Sequence, residues 1–440
     1  MIIMKVVNVV AGEPAAEAAK LRKSANAISD ALMAQARAIM DDVSAHGDPA
    51  VIDYTAKFDG VRLGSLKVTG QEVKDAYEKV SREQVKALKL MKARLEKSEL
   101  AVLKRLKNIK IRSEGVSIER TVQPVASVGC YIPGGKARYP STVVMCAVPA
   151  KVAGVKRIVA ISPPAKDGSI DPLTLVAADI CGVDEIYKAG GAQGIAALAY
   201  GTQTIRPVSK IVGPGGMFVT AAKLAASSAV STDMVAGPTE LLIYADSSAD
   251  PRLVAVDLIS QAEHSPDTVC GLVTTSEKLA AQVQEQADAV ISSGVARSEI
   301  VKKSLSQKGF VAICKDERAC AEFANEFAPE HLEVISASKK KAEAFANRIE
   351  SAGLVLVGPD APSSASDYCL GSNHVLPTLG FGKSRASLSV LDYVKLVNRV
   401  KVTRAGLAKV DSAVKEMATA EGLPNHYEAV RARRRKEKEE

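Results

Sequence analysis

Residues 154–164, GVKRIVAISPP, are followed twenty-eight positions later by residues 182–193, GVDEIYKAGGAQ, and then by residues 208–216, VSKIVGPGG. Each stretch reads as a helix end, a short Val and Ile run, and a loop of small residues. This weak repeat implies successive βαβ units and therefore a parallel sheet. Three loops, Ser162-Pro163-Pro164, Gly190-Gly191-Ala192-Gln193 and Gly213-Pro214-Gly215-Gly216, should gather at one carboxyl edge, where open α/β sheets bind ligands.

Toward the C-terminus a second alternating series follows, with strands expected at 241–245, 271–275, 310–314, 332–335 and 354–357 and helices between them. Toward the N-terminus, Ala, Lys, Glu and Leu at helical spacing dominate 13–45 and 81–107. His46-Gly47-Asp48-Pro49 breaks that pattern. Gly47 suits a left-handed helix end, and Asp48 and Pro49 suit the N-cap and first residue of the next helix. After Gly380 the pattern reads as helices again, with Leu388, Leu391, Val394 and Leu396 as an apolar stripe that must dock on a surface. The fold class expected is α/β, with two Rossmann-like parallel-sheet units plus helical N- and C-terminal parts.

Composition narrows the function. A chain of 440 residues with 47% hydrophobic content is long enough for two cores and excludes disorder over most of its length. No run approaches the ~18 to 20 apolar residues of a membrane span, and Met1–Val10 is short and weakly basic for a secretion signal, so a cytoplasmic location is expected. The net charge is +8, but 431–440 holds six basic and three acidic groups, leaving +5 for the body. A mildly basic body favours anionic ligands such as dinucleotides. Seven cysteines without a CxxC pair read as reduced thiols. The absence of Trp and 4% aromatic content argue against base-stacking nucleic-acid platforms.

No GxGxxG fingerprint follows any expected strand, and 129–136, GCYIPGGK, misses the P-loop spacing and its Ser or Thr. What remains are glycine loops at 129–135, 190–194 and 213–216, whose backbone N–H groups suit a pyrophosphate; tight turns explain them equally well. Among five histidines, His264 ends QAEH on a helix opened by Asp250 and Pro251, so Gln261 and His264 share a helix face. His331 lies in APEHLE, His374 seven residues after Asp367, and His426 near the end. Spacing leaves a metal site and ordinary surface or capping histidines both open, since a Gln ligand to zinc is unusual. Cys130 and Cys146 lie near a glycine loop, but nothing beside them in sequence supplies a base for covalent aldehyde chemistry.

Taken together, VGCYIPGG (128–135), YPSTVVMCAVPAKVAG (139–154), KAGGAQGIAALAY (188–200), AGPTE (236–240), SQAEH (260–264), APEHLE (328–333), 366–377 and LSVLDYVK (388–395) resemble histidinol dehydrogenases, over nearly the whole chain. The resemblance implies a zinc-dependent, NAD-linked, four-electron oxidation of L-histidinol through L-histidinal to L-histidine, with two NAD+ consumed per turnover and one zinc per subunit. It implies Gln261, His264, Asp367 and His426 as zinc ligands, Glu330 and His331 as general bases, Thr239 and Glu421 as further substrate contacts, and Tyr131, Gln193 and Gly216 near the cofactor. It also implies a homodimer whose C-terminal part reaches the partner's site. Two positions depart from the family pattern: Gly216 stands where Asn is common, and Thr239 where Ser is common. The expected division is an arm (1–22), a catalytic α/β domain (23–129 and 239–380), a cofactor-side α/β domain (130–238) and a C-terminal helical domain (381–440).

The chemistry suits these groups. His331, at an ordinary pKa near ~6.5, can take a hydroxyl proton as hydride leaves, and Glu330 can deprotonate the water that attacks the aldehyde. Zinc would act as a template that orients the substrate's imidazole and amine. Adjacent strand residues face opposite ways, so both bases serve one site only if the backbone turns, which Pro329 allows. Two alternatives are a dehydrogenase of another small polyol on the same scaffold, which the intact APEHLE and Glu421 disfavour, and a nucleic-acid-binding protein using the basic 431–438 run, which no recognisable module accompanies.

Overall fold

The computed structural model describes residues 4–9, 13–23, 28–134, 138–235 and 237–434. Gly135 and Ala236, each the end of a quoted motif, and the basic tail beyond 434 lie outside the described residues. The chain divides into a larger unit, up to Leu100 and Val125–Tyr393, and a smaller one, Ala101–Pro124 and Val394 onward.

The larger unit holds two parallel sheets. Strands β1 (Lys5–Asn8), β2 (Ile109–Ser113), β3 (Val116–Pro124), β4 (Ser127–Tyr131), β5 (Arg157–Ser162), β6 (Glu185–Lys188), β7 (Lys210–Val212), β8 (Ser231–Thr232), β9 (Glu240–Ala245), β10 (Val269–Thr274), β11 (Phe310–Ile313), β12 (His331–Ile335), β13 (Leu354–Val357) and β14 (Val394–Val402) run in chain order. The repeat forms a five-stranded sheet ordered β6-β5-β4-β7-β8, and the second series a six-stranded sheet ordered β1-β11-β10-β9-β12-β13. Strands β9 to β12 are buried along their whole length. Helices cover both faces, which is why these strands read as unbroken apolar runs.

Three expectations are corrected. Helices Asp30–His46 and Asp48–Asp59 pack on the five-stranded sheet's helices, with Met40, Val43 and Val51 in one core with Ile195 and Ala222, so this part of 23–129 does not belong with the catalytic sheet. The described part of the expected arm is packed on the larger unit: β1 pairs with β11, and helix Pro14–Lys23 packs on helix Glu317–Phe327. At the break near 47, Gly47 (φ 66°, ψ −134°) itself precedes the helix, and Asp48 is its first residue, binding Thr204 through its carboxylate.

The C-terminal part also differs. Leu388 and Val390 are buried, but Leu391 and Leu396 are exposed, and only the single 3-10 turn Val390–Tyr393 lies among them. VKLVNRVKV is strand β14, antiparallel along the full length of β3, from Val394 opposite Pro124 to Val402 opposite Val116. With β2 these strands form a three-stranded sheet, followed by helices Arg404–Ala420 and Pro424–Arg434. Four valines in nine residues suit a strand, and pairing along the whole of β3 overrides the weak helical stripe. No helix among the described residues is long and apolar enough to cross a membrane.

Candidate active site

The candidate bases lie at the amino end of the six-stranded sheet. Strand β12 begins at His331, and Glu330 occupies a bend just before it. The turn is made upstream: helix Glu317–Phe327 ends at Ala328, a non-glycine residue at φ 48°, and Pro329 follows. The two side chains therefore converge instead of opposing each other, with His331 Nδ1 3.9 Å from Glu330 Oε2. His331 Nε2 lies 3.3 Å from Asp367 Oδ1, an ion-pair contact without hydrogen-bond alignment.

Electrostatics set the two groups apart from their ordinary values. Burial pushes Glu330 up to about 8. Burial alone would lower His331, but the Asp367 contact and the Glu330 charge outweigh it and carry the imidazole up to about 9. An acceptor at neutral pH therefore needs the Asp367 charge engaged elsewhere. Burial also raises the Asp367 carboxyl, but His331 more than offsets this, and its pKa falls below the usual range.

A set of neighbours holds the bases in place. The Glu240 N–H, at the start of β9, donates to Glu330 Oε2 at 2.8 Å. Arg22 pairs with the buried Glu240 carboxylate, donates to the Phe327 carbonyl, and stacks its guanidinium 3.9 Å from the Phe327 ring. Thr239, half-buried, precedes Glu240. No sequence signal marked Arg22; its partners lie more than two hundred residues away.

The expected zinc ligands divide between the two units. Helix Pro251–Ala262, opened by Asp250 and Pro251 as expected, holds Gln261 in its last turn but ends two residues before His264, which lies in a bend, so the expected shared helix face is corrected. Gln261 is buried and donates from Nε2 to Ser363 Oγ at 2.8 Å, and the Ser363 N–H donates to Glu333 Oε1 at 2.6 Å. Asp367 caps the short helix that Ser363 begins. His264 is exposed, yet the surrounding protein lowers its pKa, and the Asp367 charge acts on it in the opposite sense. Glu421 and His426 are exposed residues of the smaller unit, at the end of one helix and within the next. Among the described residues no group of three or more His, Cys, Asp and Glu forms a metal cluster. The larger unit supplies two such residues, His264 and Asp367, beside the Gln261 amide. The donor chemistry nevertheless suits a cation: Gln261 Oε1 and Asp367 Oδ1 are both buried oxygens without a hydrogen-bond partner.

The cofactor-side residues lie at the carboxyl ends of the five-stranded sheet. Tyr131 ends β4, and its hydroxyl accepts the Gly191 N–H at 3.1 Å where helix Gly191–Tyr200 begins. Gln193 is buried with Oε1 unpartnered, so it offers an acceptor to a bound group. Gly216 is the exposed N-cap of helix Met217–Ala226 and has no capping side chain. Two glycine loops therefore do open helices, and, apart from the Gly191 N–H that Tyr131 receives, their first N–H groups suit a pyrophosphate. His374 joins the two halves of this unit, with Nδ1 2.7 Å from the Asp367 carbonyl and Nε2 3.5 Å from Thr142 Oγ1. Cys130 and Cys146 are buried, and burial pushes the Cys146 thiol far up, away from nucleophilic use.

Known proteins are similar to this chain in sequence and fold. The family model described as histidinol dehydrogenase matches residues 22–434. The histidinol dehydrogenase of Methanopyrus kandleri is 42% identical over 419 residues, 94% of this chain and 96% of the relative. That of Methanocaldococcus jannaschii is 42% identical, covering 90% of this chain and 91% of the relative. The crystal structure of histidinol dehydrogenase from Elizabethkingia anophelis superposes with a TM-score of 0.90 at 35% identity, covering 98% of each chain. A family match from Arg22 onward, through the converging Glu330 and His331 to the last described helix, establishes that the chain belongs to the histidinol dehydrogenase family of oxidoreductases.

Proposed function

We propose that the chain oxidises L-histidinol through L-histidinal to L-histidine, consuming two NAD+ per turnover, with one zinc ion per subunit, in the cytoplasm and as a homodimer with shared sites. The observation that carries this reading is the convergence of Glu330 and His331 on one buried locus, 3.9 Å apart. A four-electron oxidation must take protons from a hydroxyl and from an attacking water, and two adjacent bases of different kind suit that pair of tasks.

In the first oxidation the His331 ring takes the hydroxyl proton as the carbinol hydride departs. The aldehyde is then hydrated: Glu330 removes a proton from the attacking water, with one carboxylate oxygen fixed by the Glu240 N–H and the other left to act, while the protonated His331 ring returns its proton to the carbonyl oxygen and is freed to accept again. A second hydride departs from the hydrate, again with His331 accepting the hydroxyl proton, and the acid forms without a covalent enzyme intermediate. Bound NAD+ supplies the hydride acceptor, held by Tyr131, Gln193 and the helix start at Gly216. Zinc, held by Gln261, His264, Asp367 and His426, supplies a template for the substrate's imidazole and amine. Thr239 offers a hydroxyl and Glu421 a carboxylate to the substrate.

The test is NADH formation from L-histidinol with and without a chelator. The expected result is two NADH per histidinol, abolished by chelation. Preferential turnover of a polyol lacking an imidazole would overturn the substrate.

A further inference from the structure

We infer that the Lys223–Asp233 ion pair is the positioning device for the Gly213–Gly216 loop, and through it for the diphosphate of the nucleotide; this rests on the NAD reading above. The pair is the most completely buried one in the described part of this unit, with side chains 3% and 0% exposed. Burying two charges costs more than packing two apolar groups, so stability alone is a weak reason for it. What distinguishes it is where its other contacts go.

Both partners hold the same residue. The Gly213 N–H donates to Asp233 Oδ2 at 2.7 Å, and Lys223 Nζ donates to the Gly213 carbonyl at 2.9 Å. The two peptide groups of Gly213 are thus fixed from opposite ends by opposite charges. Gly213 stands at φ 113°, open only to glycine, and a Cβ there would collide with the Tyr131 carbonyl oxygen. Tyr131 in turn accepts the Gly191 N–H. One ion pair therefore ties the loop before helix Met217–Ala226 to the residue that receives the start of helix Gly191–Tyr200.

The two residues come from the right elements to do this. Lys223 lies two turns into the helix that Gly216 opens, so it links that helix to its own entry loop. Asp233 donates its N–H to the Ile211 carbonyl at 3.1 Å, and its carbonyl accepts from Arg385. It also begins the segment that runs from β8 to Thr239 and Glu240 beside Glu330. Being neutral as a pair, it orients the loop without repelling an anion, whereas an unpaired Asp233 would oppose one.

The test compares Lys223→Met, Asp233→Asn and the double variant Lys223→Met/Asp233→Leu with the parent, each at full zinc content. NAD+ binding by the parent is the prior control; its absence would refute the cofactor reading itself and not the clamp. The single variants are expected to raise KM for NAD+ by about tenfold or more, with KM for histidinol unchanged. The double variant is expected to restore thermal stability without restoring KM for NAD+. Hydrogen exchange should be faster at the amides of 213–219 in all three. A double variant that folds with the parent's KM for NAD+ overturns the proposal, as does a parallel rise in both KM values. If the single variants fail to fold, the double variant alone decides between these outcomes.

Discussion

Ser363 Oγ lies 2.8 Å from Gln261 Nε2, and that contact decides which end of the Gln261 amide faces the site. The Ser363 N–H is anchored on Glu333, so the hydroxyl is held where it accepts from Nε2 and leaves Oε1 without a partner. Removing the hydroxyl frees the amide to turn. Ser363→Ala is predicted to weaken zinc retention by roughly ten- to a hundredfold, as for other residues that orient a ligand. Competition against a graded chelator measures this, and an unchanged zinc affinity sinks the idea.

Zinc should also depend on residues from both units. His264→Asn and His426→Asn are each predicted to lose bound metal and activity together. Elemental analysis of the purified variants checks it; full occupancy with full turnover in both would remove these residues from the ligand set.

Glu330 offers a pH test. Because the base must be ionised and burial holds it at about 8, the aldehyde step should accelerate as pH rises through that value. Glu330→Gln is predicted to slow histidinal oxidation by on the order of 10²-fold or more while affecting histidinol oxidation less. The stability sign runs the other way. A carboxyl raised in the folded state ionises first when unfolded, so its stabilising contribution, complete below the unfolded value near ~4.5, is lost as pH rises to about 8. The variant should therefore melt higher than the parent at pH ~9 and alike at pH ~4. Histidinal turnover at the parent rate would place water activation elsewhere.

Gly216→Asn should fit without strain, since Gly216 has φ −64° and ψ 173° and a Cβ there meets nothing within 4 Å. Asn is also a favoured N-cap. One added hydrogen bond to cofactor corresponds to KM for NAD+ falling about two- to tenfold. An unchanged KM would show that the family's Asn is dispensable here.

The proposal of shared sites makes a complementation prediction. An inactive His426→Asn protomer exchanged with an inactive His331→Asn protomer should regain activity at up to about half the heterodimer sites, because one site collects both lesions and the other none. Demonstrated heterodimers without recovery would assign His426 to its own subunit's site.

Much of the larger unit was legible because its strands are covered on both faces. The five strands from β9 to β13 lie within two residues of their expected positions. The β2-β3-β14 sheet was not legible. β2 is exposed throughout and β14 nearly so, and IKIRS and VKLVNRVKV mix charge with apolar residues on strands that have no buried face to impose a pattern. In the site, Pro329 pointed correctly to a turn, whereas the Asp367 contact that raises His331 depends on a residue thirty-six positions away. The carboxyl-edge rule located the glycine loops, but the bases lie at strand beginnings of the other sheet, which periodicity does not report.

Arg22 and Phe327, joined through the guanidinium, stand 305 residues apart. At ribosomal speeds of about 5–20 residues per second, that interval is roughly 15–60 s of synthesis. During it β1 and helix Pro14–Lys23 have neither β11 nor helix Glu317–Phe327 to cover them. A nascent chain therefore carries this strand and this helix unsheltered throughout that interval. The turn at Ala328 takes its final shape only after that wait, so the geometry of the two bases is a late event in the life of each molecule.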